Sequence, residues 1–158
     1  MNTRLVAAGV LVVFLTPILM SCDSKDEGKA GKHEHHAPHQ GTLVEFGEEF
    51  AHLELVLDPA TGQLTGYLLD GEAEKPVRIE QREIQVNVQA KTGDFAAVLK
   101  AVGNALTGEK PGDTSQFEGH ADGLKGLKVF DASIAKVTVK GKDFAGVPFN
   151  FPKGNEEK

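Results

Sequence analysis

The chain is poor in the residues that many enzymes use for catalysis. Of its 158 residues, one is cysteine, one is tyrosine and none is tryptophan. It also lacks the G-x-S-x-G elbow of serine hydrolases, the H-E-x-x-H motif of zinc proteases and the redox motif C-x-x-C. A net charge of −6 argues against nucleic acid, whose phosphates are bound mainly by Lys and Arg. We therefore expect a non-enzymatic protein that does not bind nucleic acid.

Only one long apolar run is present, and its position predicts export. It covers Leu5–Met20, follows a short basic start and ends before a small residue, as a secretory signal does. The alternative, a membrane-spanning anchor, needs about 20 apolar residues, and this run is shorter. The end of the run, Leu19-Met20-Ser21-Cys22, resembles the lipobox of bacterial lipoproteins. The resemblance implies a signal peptide over residues 1–21 and a lipid on Cys22.

Lipidation also explains the single cysteine. One cysteine in an exported chain cannot form an internal disulfide, and a lipidated one leaves no thiolate for a metal. We expect a domain anchored by lipid to a membrane of the cell envelope and facing the periplasm. Asp23 after the lipidated Cys22 slightly favours the inner membrane, by a rule described for enteric bacteria.

The remaining chain predicts an all-β domain with polar ends. Residues 22–39 contain no large apolar side chain and predict a disordered, His-rich tether. Residues 40–152 alternate between apolar and polar positions with Gly and Pro at turns, which is typical of an Ig-like β-sandwich of about 7–9 strands. Residues 153–158 predict a polar, frayed tail. The expected strands are 42–46, 50–58, 63–70, 77–80, 83–90, 133–140 and 144–151.

Two stretches of the domain are harder to assign. Residues 95–106 place apolar side chains at helical spacing, but the same stretch also fits a strand over 95–102, which we favour because a sandwich has little use for one internal helix. Residues 103–126 are rich in Gly, Asp, Lys and Thr and predict a long loop.

Histidines are the residues most suited to a function. Four of the six, His33, His35, His36 and His39, lie within seven consecutive positions. Imidazole is a common ligand of zinc, copper and nickel, and clustered histidines raise the local ligand concentration. The tract therefore predicts a transition-metal site, and an inert polar linker is the alternative.

Two further histidines could add to such a site. His52 and Glu54 share one face of the second expected strand, about 7 Å apart. His52 is either a half-exposed strand residue or, with His36, His39 and Glu54, part of the metal site. His120, in the expected long loop beside Glu118 and Asp122, is interpreted as a solvated histidine.

A segment within this region resembles a known family. The stretch from His36 to Gly47, HAPHQGTLVEFG, resembles the P-H-G-G segment near the start of periplasmic adaptor proteins of heavy-metal efflux pumps, and a similar block in small exported lipoproteins. Gln40 stands where that motif has its first glycine, and the chain is too short for an adaptor's other domains. The resemblance implies a periplasmic β domain in a metal-handling context, with His39 as the matching residue.

Two functions are therefore compatible with the sequence. The first is capture of zinc, copper or nickel through His33, His35, His36, His39 and His52, as an accessory of a metal efflux system. The second is a non-enzymatic module that contacts another envelope protein, with incidental histidines.

Overall fold

A computed structural model describes residues 35–91 and 93–156. Within these residues there is one 3-10 turn, Asp122–Leu124, and no α-helix. No helix in this part of the chain has the length and apolarity needed to cross a membrane. The strands are β1 (Thr42–Phe46), β2 (Ala51–Asp58), β3 (Gln63–Leu69), β4 (Glu83–Gln89), β5 (Phe95–Ala101), β6 (Gln116–His120), β7 (Phe130–Val139) and β8 (Lys142–Phe151).

All eight strands belong to one antiparallel sheet in the order β1-β2-β3-β6-β5-β4-β7-β8. Each strand places alternate side chains on one face, because successive residues of a strand point to opposite sides. Those inner faces meet in a single hydrophobic core, to which every strand contributes. The predicted all-β class and the strand number are therefore confirmed, with the layers of the sandwich hydrogen-bonded into one nearly closed sheet.

The strand that joins the two halves of the sheet is β6. It pairs with β3 from Gln63↔His120 to Tyr67↔Gln116 and with β5 at Lys100↔Glu118. The expectation of a loop through residues 103–126 is wrong over this segment. Phe117 is fully buried and is the only large apolar side chain of the strand, so the sequence offers little alternation from which to recognise it.

Residues 95–101 form a strand, as we favoured. β5 pairs with β4 in the register Ile84↔Leu99, and Ala97 and Leu99 point into the core. Val98, which would lie on the buried side of a helix, is 38% exposed. The expected strand at 77–80 is reduced to one isolated bridge, Ile79↔Thr114.

Both ends of the described chain fold back onto the sheet. We call residues 35–41 the N-terminal arm and residues 152–156 the C-terminal segment. The arm, most of which was assigned to the tether, lies against β2 and β3 through contacts of His35, Ala37 and His39. The C-terminal segment, expected to be frayed, is bonded to β1 through Asn155. Both ends are held mainly by specific polar contacts. The scarcity of large apolar residues in them therefore gave no indication that they are ordered.

Residues 1–34, which include the predicted signal peptide, Cys22 and His33, lie outside the described residues, as do Thr92 and residues 157–158.

Candidate metal site

The site lies on the outer face of β1, β2 and β3, opposite the core. Two rows of cross-strand neighbours form this face: Leu43, Glu54 and Tyr67 in one, and Glu45, His52 and Leu69 in the other. His52 and Glu54 are both fully buried there. The interpretation of His52 as a half-exposed strand residue is wrong, because the N-terminal arm and the C-terminal segment cover this face.

Glu54 anchors the arm. Its Oε1 accepts hydrogen bonds from the backbone N–H of His39 at 2.7 Å and of Gly41 at 2.8 Å, and its Oε2 lies 2.7 Å from Nδ1 of His39. These contacts satisfy a carboxylate that would otherwise be costly to bury. The buried carboxylate therefore fixes the inner end of the arm.

The local backbone explains how two amides reach one oxygen. Gln40 adopts a left-handed conformation, with φ of 60°, which turns the chain between His39 and Gly41. A Cβ on Gly41 would lie 2.7 Å from the carbonyl oxygen of Leu55 and 2.8 Å from Cγ of Glu54. Glycine is required at position 41 by this close packing, within a turn whose backbone N–H groups bind the carboxylate of Glu54.

The His39 ring contacts both Glu54 and Tyr67. It stacks on Tyr67 with centroids 3.8 Å apart and an interplanar angle of 11°. Burial, with the negative charges of Glu118 and Glu54, raises the pKa of Tyr67, so its hydroxyl stays protonated at neutral pH. The structure places His39 with Glu54 and Tyr67, apart from the other predicted ligands.

Beside this turn, His35, His52 and Glu156 come together. Nδ1 of His35 and Nε2 of His52 each lie 3.1 Å from Oε1 of Glu156. The two imidazole rings are 4.6 Å apart between centroids, at an interplanar angle of 56°. One ligand atom from each of the three residues lies within 4.8 Å of the others, so this group could hold a metal ion.

The hydrogen bonding of His52 is the most informative detail. Its Nδ1 lies 3.1 Å from the carbonyl oxygen of Asp70, and since a carbonyl only accepts, Nδ1 carries the proton. In the neutral ring, Nε2 then presents a lone pair to Glu156. Nε2 is buried and makes no hydrogen bond within residues 35–91 and 93–156. Two lone pairs facing each other at this distance require a proton or a metal ion between them.

Asp70 is itself held in place. Its carboxylate accepts hydrogen bonds from the backbone N–H of Glu74 and of Lys75 at 3.0 and 3.1 Å. Slight burial favours a higher pKa for Asp70, but these bonds outweigh it and lower the pKa below the ordinary value. The turn that orients His52 is therefore stabilised at neutral pH.

The remaining candidates lie elsewhere. His36 is exposed in the arm. His120 is the last residue of β6, exposed, with Nε2 3.7 Å from Asp122. Of the residues that the sequence indicated, the structure brings together His35 and His52. It adds Glu156, an acid in a polar tail that carries no sequence signal for a ligand.

No protein-family model, curated protein or solved structure matches this chain.

Proposed function

We propose that this protein captures a divalent transition-metal ion through His35, His52 and Glu156. The observation that carries the proposal is the position of His52 Nε2, buried 3.1 Å from Oε1 of Glu156, while Nδ1 of the same ring faces the carbonyl oxygen of Asp70. Two ligands each about 2.0–2.1 Å from a tetrahedral ion lie roughly 3.3 Å apart. The separation is therefore close to that of two ligands of one metal.

The surroundings of His52 support this interpretation. Metal-binding histidines usually donate their other ring N–H to a carbonyl or carboxylate, which fixes the tautomer and the ring orientation. The contact between His52 Nδ1 and the carbonyl of Asp70 has this form. A buried histidine that served packing alone would not need a carboxylate at its second nitrogen.

The donor set indicates which ions to expect. Two imidazoles and one carboxylate suit zinc, copper and nickel, whereas magnesium and calcium prefer oxygen ligands throughout. Three protein ligands leave a coordination position for water or for a donor from another molecule. We infer reversible capture, in which a partner takes the ion through that position.

The cellular setting is part of the proposal. The lipobox-like segment that ends at Cys22 and the P-H-G-G-like segment at His39 support a lipid-anchored protein facing the periplasm, as an accessory of metal efflux. Cys22→Ser is expected to abolish labelling by a radioactive fatty acid and to release the protein from membranes. Unchanged labelling would contradict the anchor and leave the metal site to be judged separately.

The metal site is tested by calorimetry with zinc on the soluble chain starting after Cys22. His52→Ala is expected to weaken zinc binding by at least about 10- to 100-fold, as loss of ligand-shell interactions does. His36→Ala, an exposed histidine of the same arm, is the matched control and is expected to bind like the wild type. Equal affinity of the wild type and His52→Ala would overturn the proposal.

A further inference from the structure

We propose that the metal acts as a clasp that fastens both ends of the domain to β2, with Asn155 positioning Glu156. This inference rests on the proposed function, since it concerns the same ligands. His35 belongs to the N-terminal arm, His52 to β2 and Glu156 to the C-terminal segment. An ion bound by all three would cross-link residues separated by 121 positions in the sequence.

The C-terminal segment is placed by the side chain of Asn155. Its Oδ1 accepts a hydrogen bond from the backbone N–H of Glu45 at 2.7 Å, and its Nδ2 donates to the carbonyl of Glu45 at 3.2 Å. The amide thus pairs with β1 as a neighbouring strand would. Glu45 is the register partner of His52, so this pairing brings the next residue, Glu156, beside His52.

The two ends of the arm are held differently. Its inner end is fixed to Glu54 through the N–H groups of His39 and Gly41, which needs no metal. Ahead of that turn, Ala37 packs on the small apolar cluster of Leu43, Leu69 and Ala73. The arm reaches the ligand group through His35, so an ion there would fix the outer part of the arm, to which the hydrogen bond between Gln40 and Ala37 connects the inner turn.

The coupling must act in both directions. If the ion holds the C-terminal segment in place, then loosening that segment must weaken binding of the ion by the same free energy. Asn155 can be changed for this purpose because it is not a ligand in the group. Lys153, exposed in the same segment, provides a matched control.

The first measurement is the zinc affinity of two variants of the soluble chain. Asn155→Ala is expected to weaken zinc binding by about fivefold or more, the lower end of ordinary coupling between sites, whereas Lys153→Ala leaves it unchanged. A role of Asn155 in stability alone would leave the affinity of the folded protein for zinc unaltered.

The second measurement is amide hydrogen exchange with and without zinc. Reporters of the two ends are the N–H of Gln40, which donates to Ala37, and of Gly154, which donates to Asn150. Zinc is expected to slow exchange at these amides by about tenfold and to leave β4 and β7 unchanged; in Asn155→Ala the effect at Gly154 is lost.

The outcomes separate the two proposals. If zinc binds the wild type tightly but protects neither end, and Asn155→Ala binds equally well, the clasp is overturned and metal capture stands. If the wild type shows no heat of zinc binding, both proposals fall. Protection of both ends, together with weaker binding by Asn155→Ala, supports the clasp.

Discussion

Glu54 and His39 are joined twice, once through the backbone and once through the imidazole. The N–H of His39 donates to Oε1 at 2.7 Å, and Nδ1 lies 2.7 Å from Oε2. The carboxylate is fully buried, whereas the His39 side chain is 43% exposed. The contact therefore seals one edge of the covered face of β1, β2 and β3.

Removal of this carboxylate is expected to cost stability. Glu54→Ala leaves the N–H groups of His39 and Gly41 without their acceptor. Each buried donor left without a partner costs about 1–3 kcal/mol. We expect the free energy of unfolding to fall by about 3 kcal/mol in urea denaturation. Glu48→Ala, at an exposed site, is the control and should change it by less than about 0.5 kcal/mol. Equal stability of both variants would contradict the anchoring role of Glu54.

Substitutions at positions 40 and 41 are expected to change the free energy of unfolding to different extents. Gly41→Ala introduces a Cβ 2.7 Å from the carbonyl oxygen of Leu55, so overpacking should cost about 1–3 kcal/mol. Gln40→Gly relieves a left-handed conformation at φ of 60°, which offsets the entropy that glycine loses on folding. It should change the free energy of unfolding by less than about 0.5 kcal/mol. Thermal or urea unfolding of the two variants provides the test, and a Gly41→Ala variant as stable as the wild type would refute the close packing.

Most strands could be predicted from alternation, with β6 as the exception, whereas the covered face could not be predicted. β4 repeats Ile84, Val86 and Val88 toward the core, a local pattern that any sheet with one wet face produces. By contrast, the burial of His52 depends on residues at both ends of the chain. The local sequence of β2 gives no sign that the N-terminal arm and the C-terminal segment cover its polar face. That face is therefore interpreted from the sequence as solvent-exposed.

Metal binding by the clustered histidines stays a prediction, and the structure shows which of them come together. Clustering in the sequence indicates the arm as a whole, whereas only the fold decides that His35 lies beside His52 while His39 contacts Glu54. Glu156 lies in a polar stretch, and its position follows from the pairing of Asn155 with Glu45. Such pairing between a side-chain amide and a strand edge leaves no periodicity to find.

Glu109 is expected to contribute to stability in a pH-dependent way. Burial favours a higher pKa for Glu109, but hydrogen bonds from Ser115 and Thr107 and the charge of Arg78 outweigh it and lower the pKa. Because the folded pKa is lowered, the contribution is present above the ordinary value of 4.5 and is lost as pH falls through the folded pKa.

Glu109→Gln tests this sign. The variant is expected to be less stable than the wild type by about 1 kcal/mol at pH 7, and the difference should shrink as urea unfolding is repeated at pH values descending from 4.5. Glu48→Gln, at an exposed position, controls for the change of charge at pH 7. A stability difference between Glu109→Gln and the wild type that grows with acidity would show that the sign is wrong.

Competition between protons and zinc for the imidazoles is expected to show how many histidines bind the ion. Imidazole must lose its proton to bind a metal. At acidic pH values where the histidine ligands of the metal-free protein are protonated, the logarithm of the zinc dissociation constant should approach a slope of about two per pH unit in the wild type and about one in His35→Ala, since each histidine ligand releases one proton. Glu156→Gln replaces a charged ligand by a weak neutral one, so zinc should bind at least about tenfold more weakly while the slope of the wild type is kept. Competition with a chromophoric chelator across pH measures all three proteins. If His35→Ala kept the slope of the wild type, His35 would not be a ligand, and a metal bound by His52 and Glu156 alone could not bridge the arm to the C-terminal segment.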